Sequence, residues 1–355
     1  MLIYGMNVET EMKEAYLYNN LPDGRVECLL CAHRCVIAQG RRGLCGVREN
    51  RQSTLYSLVY GKLATAHIDP IEKKPLYHFH PASSTLSIAT VGCNFRCLHC
   101  QNSDLSQYPS SFREDFTIIV TGKYSSPQDV VGAALSTGCK SISYTYSEPT
   151  IFFEFALDCA KLAREKGLKN VFVSNGFMTP ESAQTLIPHL DANNIDLKGN
   201  DEFYRKVCGG RVEPVKDTIR QMAEGGVWVE VTTLVIPGHN DSESVLKSIA
   251  EFIASVSSSI PWHVTRFHPT YKMMDKPWTS AETLATARQI GLDAGLRYVY
   301  QGNAYSEGAE DTWCPSCKTS LIKRQGFFVS EDILLRAEDG TGRCPVCSTR
   351  IDGVW

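Results

Sequence analysis

Val91-Gly92-Cys93-Asn94-Phe95-Arg96-Cys97-Leu98-His99-Cys100-Gln101-Asn102 decides how this chain is read. Cys93, Cys97 and Cys100 follow directly on a short apolar run at residues 86–91. Three thiolates at this spacing can hold three corners of a cubane iron–sulfur cluster and leave the fourth iron without a side-chain ligand. Clusters that only carry electrons normally close with four cysteines. An open metal position marks a site that does chemistry, a rule that zinc also obeys. The competing reading is a structural zinc with His99 as fourth ligand, but the spacing is unusual for zinc. A ferredoxin-type cluster lacks its fourth cysteine nearby.

Outward from this motif, strand and helix signals alternate. Short apolar runs recur at residues 86–91, 141–146, 170–174, 192–197, 227–235, 263–267 and 297–301. Helix-period segments lie between them. Ser126-Pro127 and Thr179-Pro180 pair an N-cap residue with proline in the first turn. Residues 150–167 place Phe152, Phe153, Ala156, Leu157 and Ala160 on one face. Others fit near residues 214–224, 241–256 and 280–294. Repeated βα units with apolar strands predict an α/β fold, a parallel sheet with helices outside. Six or seven units make a partial (β/α)6 TIM-like barrel, whose chemistry belongs at the C-terminal ends of the strands. The cysteine motif follows the first strand, as that rule requires. The barrel is assigned residues 85–311, with a cysteine-rich N-terminal extension at 1–84 and a zinc-ribbon or rubredoxin-like tail at 312–355.

The flanks carry further thiols. Of fourteen cysteines, only Cys139, Cys159 and Cys208 stand outside three clusters of metal-ligand spacing. Cys314-Pro-Ser-Cys317 and Cys344-Pro-Val-Cys347 are paired knuckles that close a tetrahedral site, zinc or rubredoxin-type iron. Such a site would staple a segment too small to fold alone. Cys28, Cys31, Cys35 and Cys45 suit zinc or an auxiliary cluster, and His33 can replace one of them. A closed four-coordinate site is expected there, its metal open between a structural ion and an electron relay.

The cysteine motif resembles that of the radical S-adenosylmethionine (SAM) superfamily, and within it the pyruvate formate-lyase activating enzymes. Asp69-Pro70-Ile71-Glu72-Lys73-Lys74-Pro75-Leu76-Tyr77-His78-Phe79, Tyr144-Thr145-Tyr146-Ser147-Glu148-Pro149 and the terminal Gly353-Val354-Trp355 are similar to the AmmeMemoRadiSam system radical enzymes. The resemblance covers nearly the whole chain. It implies a [4Fe–4S] cluster on Cys93, Cys97 and Cys100 whose open iron chelates SAM. One electron then cleaves the sulfonium to a 5′-deoxyadenosyl radical that abstracts hydrogen from a substrate. The superfamily usually shows Gly-Gly-Glu where this chain has Tyr146-Ser147-Glu148, so Tyr146 and Ser147 make the backbone approach in place of the glycines and Glu148 offers the acceptor for the methionine ammonium. The alternative role for Glu148 is an acid at the helix start. Ser174-Asn175-Gly176 resembles the family's Thr-Asn-Gly element facing ribose and carboxylate. Asp196-Leu197-Lys198 matches its Asp-Leu-Lys motif, with Lys198 for the carboxylate and Asp196 for the ribose or a nearby cation. His268 is placed near the adenine or carboxylate, or else is a satisfied structural histidine, and His99 is placed as a wall of the adenine site. Cys208, in Val207-Cys208-Gly209-Gly210, is a candidate hydrogen donor to a substrate radical or else a buried inert thiol. Lys73 and Lys74 either bind an acidic part of the substrate or lie on a solvated connector.

Composition excludes some classes. Net charge is −3 with lysine and arginine dispersed, which offers no basic field for nucleic acid. No apolar run is long enough to span a bilayer, and Met1 to Glu11 lacks a signal-peptide core. Grouped, unpaired thiols fit a reducing, cytoplasmic, low-oxygen setting. The expected partners are SAM, a one-electron donor and a substrate, which activating-enzyme kinship suggests is a partner protein and which the sequence leaves open to a partner's product, a small molecule or an RNA base, the acidic net charge standing against RNA. The rival class is a metal-dependent binding or electron-transfer protein whose scaffold no longer cleaves SAM.

Overall fold

The computed structural model describes residues 12–108, 120–303 and 307–355. The segment Met1 to Glu11 lies outside them. The centre of the molecule is an eight-stranded sheet. Its strands are β1 (Thr65–Pro70), β2 (Ser84–Ala89), β3 (Ser141–Tyr144), β4 (Lys169–Ser174), β5 (Ala192–Asp196), β6 (Trp228–Val235), β7 (Trp262–Arg266) and β8 (Val299–Gly302). They lie in the order β8-β7-β6-β5-β4-β3-β2-β1. Seven run parallel, and β1 is antiparallel to β2, with Thr65 opposite Ala89 and Pro70 opposite Ser84. β1 and β8 do not pair, so the barrel is open. The first strand falls within residues 1–84, which therefore supply the sheet's edge as well as the cysteine-rich extension. Its pattern Thr-Ala-His-Ile-Asp-Pro is half solvent-facing and carries no apolar run, as an edge strand need not.

The parallel strands are buried on both faces, which is why they read as apolar runs. Six helices cover the outer face: α1 (Pro127–Ser136), α2 (Phe153–Glu165), α3 (Pro180–Leu186), α4 (Glu213–Glu224), α5 (Glu243–Val256) and α6 (Ala281–Asp293). Each starts at or beside an expected position. Ser126 and Thr179 form capping boxes with Asp129 and Ser182. Helix α4 buries Val215, Thr218, Ile219 and Met222, one stripe of a 3.6-residue period.

The extension docks on α2 through ions. Arg48 makes a bidentate pair with Glu154 at 2.9 and 2.8 Å, both side chains buried. Glu154 also accepts from the Tyr16 amide at 3.0 Å. The tail forms two small antiparallel sheets, each with one cysteine knuckle. Its Leu321, Ile322, Leu334 and Ile351 pack against Tyr77, Tyr298 and Tyr300. Val354 bridges to Phe79, which pins the chain terminus to the segment after β1.

Candidate active site and metal centres

The loop after β2 carries Cys93, Cys97 and Cys100. Backbone bonds fasten its far side to the loop after β5: Arg96 N donates to Cys208 O at 2.7 Å and Leu98 N to Val207 O at 3.0 Å. Gly210 lets Phe95 lie flat there, since a Cβ on residue 210 would stand 2.4 Å from Phe95 Cε1. In front of the loop opens a cavity of about 440 Å³. All three cysteines line it, together with Ser147, Glu148, Asn175, Asp196, Lys198 and His99. It continues inside the sheet along Asn194 and Asp196, Thr232 and Leu234, His263 and Thr265, alternate residues whose side chains share one face. Tyr77, Glu310 and Phe327 border its other end.

Glu148 is buried and its carboxylate is crowded with donors. Thr150 N (3.0 Å), Thr150 Oγ1 (2.6 Å) and Ser174 Oγ (2.8 Å) reach Oε1, and Asn175 N (2.8 Å) reaches Oε2. Burial pushes its pKa up in spite of these bonds. The acid therefore does cap the turn that begins at Pro149 while it lines the cavity. Asn175 donates to Asn94 Oδ1 at 2.7 Å and approaches Cys93 Sγ at 3.8 Å, so its amide steadies the cysteine loop. Lys198 Nζ pairs with Asp196 Oδ2 at 2.6 Å. Burial opposes the charge on Lys198, but Asp196 outweighs it and the pKa is raised. The Lys198 carbonyl accepts from Asn240 Nδ2 at 2.6 Å, a contact that positions the end of β5.

Tyr146 stands where the superfamily has glycine, and its φ is +64°. That left-handed conformation is costly for a tyrosine. Three contacts hold it: its hydroxyl donates to Asp69, its carbonyl accepts from Asn102 Nδ2 at 2.9 Å, and Lys74 lies 4.5 Å from its ring centroid. Lys74 is no solvated connector. It is buried, pairs with Asp69 at 2.7 Å, and burial lowers its pKa to about 8.

Two expected residues lie elsewhere. His268 is absent from the cavity lining; its loop turns the ring onto Trp278, 5.5 Å between centroids. Cys208 is fully buried behind the loop, not at the mouth. Its sulfur groups with Cys97 Sγ and a His99 ring nitrogen within 4.8 Å. The bonds that tie residues 207–208 to the cysteine loop force this position, so Cys208 faces a cluster ligand rather than a substrate. His99 is buried and its pKa is lowered to about 3 by burial and by Lys198, which keeps the ring neutral.

The residues fit a cubane with SAM. Among the described residues, Cys93, Cys97 and Cys100 are not drawn within 4.8 Å of one another as ligands of one ion would be. Ser147 Oγ and His99 Nδ1 are buried in the lining with no partner, as groups that await a polar ligand are. The tail contrasts with this. All four of its sulfurs fall within 4.8 Å, with Cys314–Cys347 and Cys317–Cys344 each at 3.6 Å. A tetrahedral ion with bonds of about 2.3 Å sets its sulfurs about 3.8 Å apart. The tail cluster therefore fits a zinc ribbon.

The Radical SAM superfamily model matches residues 87–249, from the first parallel strand to the fifth helix. An uncharacterized protein of Methanocaldococcus jannaschii, MJ0808, is 43% identical over 345 residues, 96% of this chain and 99% of that protein. The chain belongs to the radical SAM superfamily. The pyruvate formate-lyase-activating enzyme of Clostridium pasteurianum is 20% identical over 219 residues, 58% of this chain and 87% of that protein. A radical SAM methyltransferase structure from Sphaerobacter thermophilus overlays with a TM-score of 0.48 at 16% identity, over 64% of this chain and 68% of that one. As a radical SAM protein the chain is an enzyme that uses a [4Fe–4S] cluster, SAM and a reductant. No helix among the described residues is long and apolar enough to cross a membrane.

Proposed function

We propose that this radical SAM enzyme reductively cleaves SAM and abstracts hydrogen from a substrate seated in the cavity between the cysteine loop and Tyr77. The carrying observation is that Cys93, Cys97 and Cys100 open into one cavity with Glu148, Asp196 and Lys198, at the C-terminal ends of β2, β3 and β5. When bound, the cluster and SAM supply one-electron cleavage of the sulfonium and a 5′-deoxyadenosyl radical. The three thiolates would hold the cluster. Glu148 would accept from the methionine ammonium through lone pairs left beyond its four donors. Lys198, kept charged by Asp196, would meet the carboxylate. Ser147 and His99 would give their unpartnered atoms to the same ligand. The surrounding side chains would exclude water from a reactive species.

The resemblance to activating enzymes supports a partner protein as substrate, and the AmmeMemoRadiSam assignment belongs to the same proposal. The barrel at 85–311 would carry the chemistry, with 1–84 and 312–355 as metal-bearing appendages. The test is anaerobic reconstitution with dithionite and SAM, with 5′-deoxyadenosine and methionine measured. Formation of both supports the reading. Absence of both from cluster-loaded protein overturns it and leaves a metal-dependent binding or electron-transfer protein. Deuterium carried from a labelled candidate into 5′-deoxyadenosine would then name the substrate.

A further inference from the structure

The four N-terminal cysteines form a second site. A hairpin joins Val26–Cys28 to Val36–Ile37, and Cys28 N donates to Cys35 O at 2.9 Å, which brings those two thiols to one end. Gly43 packs closely on Ile37, whose Cδ1 a Cβ at residue 43 would approach to 3.1 Å, beside the Cys35 sulfur. Cys28, Cys31, Cys35 and Cys45 all line one small enclosed cavity closed by Leu30, Ile37, Leu44 and Ile151.

One observation separates a cluster from a single ion, and a second points to a sulfur ligand in this cavity. Among the described residues, the tail sulfurs close to within 4.8 Å, whereas no three of these four do so; they share that wider setting with Cys93, Cys97 and Cys100. One zinc draws its four sulfurs to about 3.8 Å of each other, and a polynuclear cluster holds its thiolates farther apart because the irons and sulfides stand between them. Second, Arg48 lines the same cavity, is buried, and its Nε has no hydrogen-bond partner, while its two terminal nitrogens are taken by Glu154. A buried donor left unpaired is costly. A sulfide or thiolate sulfur would satisfy it.

The site also abuts the cysteine loop of the barrel. A Cβ on Gly92 would stand 3.2 Å from Cys45 O, and Gly92 precedes Cys93. Arg96 joins the two by donating to Cys93 O at 3.1 Å and to Leu44 O. Asn94 O meets His33 Nε2 at 2.8 Å, so His33 is engaged with the barrel loop rather than standing in for a cysteine.

We propose that Cys28, Cys31, Cys35 and Cys45 bind an auxiliary iron–sulfur cluster that passes single electrons from an external one-electron donor to the cluster on Cys93, Cys97 and Cys100. The donor is oxidised by one electron, the auxiliary cluster is reduced and reoxidised, and the barrel cluster ends one electron reduced. The relay role rests on the reductive reading above; the site itself does not.

The test is a Cys93→Ala/Cys97→Ala/Cys100→Ala variant of the full chain, reconstituted anaerobically and assayed for acid-labile sulfide, iron and zinc. The variant should keep about half the wild-type sulfide if both clusters are cubanes, and should still give a paramagnetic signal on reduction. Sulfide counts separate this site from the tail, since a zinc or rubredoxin-type ion carries none. A variant without sulfide, with zinc in its place or with no metal, overturns the proposal. Cys28→Ala/Cys31→Ala should lose the complementary half; if that variant fails to fold, the triple variant still decides. Rapid reduction of wild type by the one-electron donor should fill the barrel cluster faster than in Cys28→Ala/Cys31→Ala, and equal rates would refute the relay. None of these readouts depends on SAM cleavage, so loss of that activity alone leaves the site standing.

Discussion

Replacing Glu154 by Gln tests how the extension is held to the barrel. Glu154 and Arg48 are buried, and the two guanidinium bonds of 2.9 and 2.8 Å are joined by a third from Tyr16 N at 3.0 Å. Glutamine can keep the Tyr16 bond, but it removes the charge and points an amide donor at a guanidinium that only donates. Breaking a buried ion pair by removing one partner costs about 3–5 kcal/mol, because the other charge stays behind uncompensated. At about 2 °C per kcal/mol, the expected fall in melting temperature is about 6–10 °C. The exposed Lys206–Glu202 pair is the control, and Glu202→Gln should leave the melting curve unchanged. The pH dependence has a fixed sign. Burial raises the Glu154 pKa, but Arg48 outweighs it and the folded value lies below the ordinary 4.5. The wild-type advantage is thus fully present above 4.5 and is lost as pH falls through the lower folded value. Circular dichroism melts of metal-loaded wild type and variant across that range measure both effects. A penalty below about 1 kcal/mol, or one that persists unchanged into acid, would refute the reasoning.

Other perturbations bear on the site. Gly176→Ala puts a Cβ 2.7 Å from Ile195 Cγ2 at a φ of +69°, beside Asn175; overpacking and left-handed strain together should cost about 2–4 kcal/mol and lower cluster occupancy, read from iron and sulfide content. Lys74 should lose its proton as pH rises through about 8. If its charge serves substrate binding, activity falls above that pH while Lys74→Arg stays flat, and identical profiles would refute the role. Cys208→Ala should retain product formation, because the thiol faces Cys97 and not the cavity; loss of product with a full cluster would restore the hydrogen-donor role. Cys317→Ser should remove one mononuclear metal without loss of sulfide, as measured by elemental analysis.

The barrel was legible because both faces of a parallel strand are buried. That left seven apolar runs, and all seven became strands. The cysteine motif was legible because its ligands are local, within eight residues of chain. Strand β1 was not, since its exposed edge removes the apolar signal. The rest of the cavity's inner wall was missed, although Asn194, two residues before Asp196, and His263 and Thr265 are polar residues at alternate positions inside otherwise apolar strands. His268 turned away from the cavity because a loop's direction is set by what it packs on, here Trp278, while the cysteine loop holds Cys208 as the buried thiol that its sequence also allowed.

The order of residues alone determined which ligands lie close enough along the chain to share a metal and which segments must be buried. Both are short-range matters of spacing and period. Tertiary structure decided what only folding brings together: Cys45 beside Gly92, Arg48 against Glu154, and Tyr146 held by Asp69 in place of a glycine. These contacts join residues tens of positions apart, and their geometry depends on the sheet's register and on the packing of loops at its end.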